Sequence, residues 1–131
     1  MPVVQPPYAL SAMSFRFGAL ASLAGRAPLG GRREVAMALY MGARLAQDTL
    51  PERDIAEAAR RDRASHAKQW LSTLSIPAAV RPSLAALIDA STGEPAAASK
   101  CLRAAMTATN EALDRDTRAE LTQLASALDR R

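Results

Sequence analysis

The chain has 131 residues, enough for one domain and for a core that needs neither disulfides nor a metal to hold it. Hydrophobic residues make up 49% of it but aromatics only 4%, and Ala alone supplies about a quarter. That balance excludes a sheet core of Val, Ile and aromatics and predicts closely packed helices. The formal net charge is +4, and 15 of the 17 basic residues are Arg. Guanidinium suits carboxylates and phosphates, so acidic partners fit, although a surplus of four is modest for this length. One cysteine, Cys101, rules out an internal disulfide framework and fits a reducing compartment, and one histidine, His66, rules out a multi-histidine metal centre.

Taken in order, residues 1–31 form a Pro- and Gly-containing arm, with three prolines in the first seven positions and Ala-Pro-Leu-Gly-Gly at 27–31 as a break. A short helix is predicted from Tyr8 or Ser11 to Leu23, with Phe17, Leu20 and Leu23 on one side. The apolar stretch 15–25 contains Arg16 and is shorter than a membrane span. The expectation is a cytoplasmic protein without a membrane segment.

Residues 32–131 are predicted to form an all-α bundle of five to six helices, mostly antiparallel and joined by short connections. The first helix of the bundle covers 32–48. Between Glu34 and Arg44 it is apolar on all sides, which marks a helix buried on several faces. Met37, Tyr40 and Met41 lie on one side, and Ala38, Gly42 and Ala46 form a small-residue ridge that lets another helix approach closely. Such a helix is either the centre of the bundle or half of a subunit interface.

A second helix is predicted as one continuous element from Pro51 to Leu74, started by Pro51 with Glu52 and Asp54 near its positive end. A third spans about 82–90 with Leu84, Leu87 and Ile88 on one face. A fourth spans 95–113 with a stripe of Ala98, Cys101, Leu102, Ala105, Met106, Thr109 and Leu113. A fifth begins between Asp114 and Thr117, where Thr117 and Glu120 have the spacing of a capping box, and carries Leu121, Leu124, Ala125 and Leu128.

Candidate functional residues cluster on the second helix. Arg63 sits in the middle of its apolar side, beside His66 and Trp70; a guanidinium buried there needs an acid, Asp48, Asp89, Glu111 or one from another chain, and otherwise the helix is half covered and the Arg63 stem snorkels to water. Trp and Arg anchor many binding surfaces, and Met and Tyr are frequent at interfaces. The leading expectation is therefore a non-enzymatic, self-associating protein-interaction module with no cofactor, whose partner-binding residues are Met37, Tyr40, Met41, Arg63, His66 and Trp70.

The opposite side of the same helix carries Arg53, Arg60, Arg61 and Lys68, which would meet phosphates in a nucleic-acid regulator or form a solvated face laced by Glu57. Residues 54–71 resemble the helix-turn-helix pattern of many bacterial repressors, which implies that Arg63, Ser65 and Lys68 would face a major groove. The chain departs from that pattern at the turn glycine, which is Arg60, and at two apolar positions, Arg61 and His66. One continuous helix is the simpler expectation. A further alternative is a carrier of a hydrophobic ligand or haem lined by Met37, Met41 and Met106. Asp62 and His66, at i and i+4, with Cys101 contain the residue types of a nucleophilic set, but Cys101 falls on an apolar stripe and no oxyanion-hole turn accompanies it.

Overall fold

The computed structural model describes Ala19, Leu23 and residues 31–130. Five α-helices follow one another: α1 (Gly31–Gln47), α2 (Glu57–Leu71), α3 (Arg81–Ala90), α4 (Pro95–Ala108) and α5 (Arg115–Asp129). Single 3-10 turns at Pro51–Arg53 and Asn110–Ala112 join them, and no strand occurs among the described residues. The all-α bundle expected from composition is the fold observed.

The apolar circumference of α1 explains its place. Val35, Ala36, Ala38, Leu39, Tyr40, Met41, Ala43, Leu45 and Ala46 are all buried, and α1 packs on α2, α3, α4 and α5 alike. It is the centre of the bundle. Its small-residue ridge serves that role, because an added Cβ at Gly42 would lie 2.6 Å from Leu87 Cδ2 of α3. Burial continues past the helix end through Gln47, Asp48, Thr49 and Leu50, where the Thr49 hydroxyl donates to the Ala46 carbonyl at 2.8 Å.

The continuous helix expected over 51–74 is not what forms. Pro51 does open a helical turn, but a 3-10 turn of three residues, and Asp54 ends it in the left-handed region at φ 50°, ψ 48°. A short polar side chain tolerates that conformation better than most. Helix α2 begins only at Glu57 and stops at Leu71, three residues early. At that end the hydroxyls of Ser72 and Thr73 donate to the carbonyls of Gln69 and Trp70, the local competition that makes Ser and Thr poor helix continuers.

Helices α2 and α3 are tied by a reciprocal device. Arg81, at the start of α3, donates through Nη1 to the Leu71 carbonyl at 2.9 Å and through Nη2 to the Leu74 carbonyl at 2.6 Å. Arg60, near the start of α2, donates to the Gly93 carbonyl at 3.0 Å and the Ser91 carbonyl at 3.4 Å beyond the end of α3. Each helix thus supplies a cation to the other's negative end, where carbonyls lack intrahelical donors. Arg81→Met keeps the apolar stem but removes two charge-assisted bonds, and is expected to lower stability by roughly 1.5–3 kcal/mol in urea unfolding. Arg60→Met should cost less, because the Arg60 contacts are longer, at 3.0 and 3.4 Å.

Helix α4 ends at Ala108, before the predicted boundary at 113, because the chain tightens into the Asn110–Ala112 turn and then extends at Leu113. Ala98, Leu102, Ala105, Thr109 and Leu113 of its stripe are buried, with Cys101 and Met106 half-buried at the edge. The cap of α5 is also displaced. Asp114 is the capping residue and accepts from the Thr117 amide at 2.9 Å, while Thr117 lies inside the first turn, fully buried. Glu120, expected to complete a box with Thr117, instead accepts at Oε1 from the Ala19 amide at 2.8 Å. Leu121, Leu124, Ala125 and Leu128 are buried as their spacing predicts. Ala19 is helical and Leu23 is helical and buried; the remainder of the predicted 8–23 helix lies outside the described residues.

At the far end of α5, Asp129 is bonded by the Ser99 hydroxyl and by Arg103. The Ser99 hydrogen bond, with Arg103 beside it, holds the Asp129 carboxyl below its ordinary range. A lowered folded-state pKa means this contact stabilises the protein above the unfolded value, about 3.9, and is lost as pH falls through the folded value. Asp129 is therefore expected to titrate below ordinary carboxylates in a carboxyl-carbon NMR titration, and Ser99→Ala to move its midpoint upward.

Candidate functional site

The residues expected to meet a partner are distributed quite differently from that expectation. Tyr40 is 1% exposed and Met41 0%, so both belong to the core of the chain itself. Met37 is half-buried against the same core. An interface on that side of α1 is corrected: four other helices occupy the space around it. Trp70 is buried too, and His66 is half-buried near it on α2.

Arg63 finds its acid within the chain. Its Nη1 lies 3.0 Å from Asp48 Oδ2, the first of the candidates that sequence reasoning named, while Asp48 is 1% exposed at its side chain. Arg53 approaches the other carboxylate oxygen at 3.8 Å. The break at Asp54 makes this possible, since it returns the chain so that residues on both sides of it reach Asp48.

The basic side of α2 is likewise engaged. Arg53 reaches Asp48, Arg60 caps α3, Arg61 pairs with Glu57 at 2.7 Å and Lys68 pairs with Asp89 at 3.2 Å. Exposed pairs of this kind are weak, yet they lower the field the stripe presents. The segment 57–71 is one uninterrupted helix, so the turn between two helices that a helix-turn-helix requires is not formed there.

Cys101 and His66 stand on α4 and α2, which are not among the helix pairs that pack extensively, and no hydrogen bond joins Asp62 to His66 among the described residues. No group of three His, Cys, Asp or Glu side chains among the described residues is arranged to hold a metal ion. Of the three methionines named as lining for a ligand pocket, Met106 borders the smaller of the two described hollows and Met37 and Met41 border neither.

Two hollows lie side by side where the bundle's helix ends meet. The larger, about 560 Å³, is bounded by Arg32 and Val35 at the start of α1, by Pro77 and Val80 before α3, and by the 107–112 segment that ends α4. The smaller, about 280 Å³, shares Thr107 and Asn110 with it and adds Met106, Arg103 and Arg118. Val35 and Ala112 are buried and Val80 half-buried, which gives the larger hollow an apolar floor. Its polar rim is uncommitted: Arg32, Glu111 and the Asn110 side chain make no hydrogen bond or ion pair among the described residues. In the smaller hollow Arg103 is paired with Asp129, whereas the Arg118 guanidinium donates to the Leu113 carbonyl at 3.1 Å and to no other group among the described residues.

Of the residues that border the hollows, sequence reasoning named only Met106, as a possible pocket lining, and Glu111, as a possible partner for Arg63. Pro77 marks a helix end in the sequence, whereas the end of α4 at Ala108 falls inside the helix expected over 95–113, and sequence does not say which ends are neighbours. No protein-family model, curated protein or solved structure matches the chain. No described helix is long and apolar enough to cross a membrane.

Proposed function

We propose that the chain is a non-enzymatic helical interaction module, working in the cytoplasm, that binds a protein partner or a second copy of itself through the hollows at the ends of α1 and α4. The observation that carries this reading is the contrast in commitment of polar groups. Arg63 and the cations of the α2 stripe are engaged within the chain, whereas Arg32, Glu111 and the Asn110 side chain border an apolar-floored cleft and make no hydrogen bond or ion pair among the described residues. A concave site with an apolar floor and a few convergent polar groups is the usual form of a binding surface. The engagement of the α2 cations favours a protein partner over nucleic acid.

The test is site-specific photocrosslinking in cells that produce the protein, with p-benzoyl-phenylalanine in place of Val80 and, as reference, in place of Arg61. The expected result is a discrete protein adduct from position 80 that position 61 does not give; an adduct at twice the chain mass would identify self-association. Adducts from neither position, together with a monomeric peak in light scattering, would overturn the reading.

A further inference from the structure

We infer that the paired hollows take an extended peptide segment in which acidic residues flank a short apolar run. This rests on the interaction reading above and specifies the chemistry of the partner. The two hollows share a wall at Thr107 and Asn110 and carry cations on either side of it: Arg32 borders the larger hollow, Arg118 the smaller. Neither guanidinium meets a carboxylate among the described residues, since Arg32 makes no polar contact and Arg118 bonds only a carbonyl. Arg103 is already neutralised by Asp129 and adds little. Glu111 is the single acid on the larger rim, so unpaired positive charge exceeds negative across the pair. Guanidinium presents a planar fork of donors matched to carboxylate.

The shared wall suits a peptide backbone. The Thr107 hydroxyl donates to the Arg103 carbonyl at 3.1 Å, which leaves its oxygen free to accept a peptide N–H. The Asn110 amide offers both a donor and an acceptor. Val35, Val80 and Ala112 supply the apolar floor for side chains between the acids. The chain's own arm has the wrong sign for this groove: residues 1–31 contain Arg16 and Arg26 and no acid. Duplex nucleic acid presents no apolar run to the floor, and Glu111 opposes its phosphates.

The probe is a set of dye-labelled peptides with two glutamates separated by one to six leucines, measured by fluorescence anisotropy with the full chain. At least one spacing is expected to saturate with a Kd below about 100 µM. Lysine in place of glutamate, or serine in place of leucine, should abolish that binding. Arg32→Glu and Arg118→Glu should each weaken it about tenfold or more, because each turns an attraction into a repulsion; Arg61→Glu should leave it unchanged. All three positions are exposed, and circular dichroism melts confirm that the variants stay folded. Absence of saturation below about 1 mM at every spacing, or binding indifferent to both Arg32 and Arg118, would overturn the inference. A Val80 adduct that survives Arg32→Glu and Arg118→Glu would overturn the acidic specification while leaving the interaction reading standing. Absence of any Val80 adduct with Arg32 and Arg118 intact would instead remove the reading itself.

Discussion

Gly42→Val is expected to destabilise the protein by about 3 kcal/mol, at the upper end of what overpacking a core costs. The site leaves no slack. A Cβ at position 42 would stand 2.6 Å from Leu87 Cδ2 and 3.0 Å from its Cγ, and Leu87 is fully buried, so relieving the clash requires its packed neighbours to move as well. Replacing glycine in a helix interior returns only a few tenths of a kcal/mol in backbone preference when the new residue is β-branched. Leu87→Ala alone should cost roughly 2–5 kcal/mol, through lost burial and the cavity it leaves. The informative variant is the double mutant, in which the valine methyls enter the space vacated by Leu87. Its loss should fall short of the summed single losses by about 1 kcal/mol or more. Urea unfolding of the four proteins measures this, and additive losses would mean that α1 and α3 do not meet at this point.

That contact shows which parts of the fold were legible in the sequence. Ala38, Gly42 and Ala46 announce a close helix approach, and Leu84, Leu87 and Ile88 announce a buried face; both are correct because each depends only on periodicity within one helix. The same ridge could not say whether the approaching helix belongs to this chain or another. An all-round apolar helix such as α1 meets either requirement, so Tyr40 and Met41 read equally well as core or interface. The structure decides by surrounding α1 with the chain's own helices. Local signals failed where two satisfactory solutions competed. Thr117 with Glu120 and Asp114 with Thr117 both have capping spacing, and burial of Thr117 selects the second. Nothing in Pro-Glu-Arg-Asp foretells a left-handed Asp54, because a helix start at Pro51 is locally acceptable and the stop follows from where the buried 47–50 segment directs the chain. The reciprocal arginines and the paired hollows depend on which helix ends are adjacent, a property of the assembled bundle. Residues 32–35, 77–80 and 107–112 meet only there.

Arg63 is the residue whose two readings differ most in consequence, and its expected result is structural. Arg63→Met should destabilise the protein by roughly 3 kcal/mol, the low end of the range for breaking a buried ion pair. The low end applies because the Arg63 side chain is 35% exposed and Arg53 stays 3.8 Å from the carboxylate. The loss comes mainly from Asp48, whose side chain is 1% exposed and would remain buried as an anion without the guanidinium at 3.0 Å. Methionine retains the aliphatic stem, so packing changes little. Arg53→Met removes only the more distant, half-exposed partner and should cost under about 1 kcal/mol. If Asp48 is the origin of the penalty, Asp48→Leu combined with Arg63→Met should be more stable than Arg63→Met alone, since replacing both charges by apolar groups removes the desolvation problem altogether. A docking anchor would behave in the opposite way. Arg63→Met would then change the unfolding free energy by less than about 0.5 kcal/mol, as surface substitutions do, and would eliminate the Val80 adduct. The 3.0 Å contact to a buried carboxylate predicts the first pattern: a large stability loss, relieved by the second substitution, with partner capture retained wherever the variant is folded.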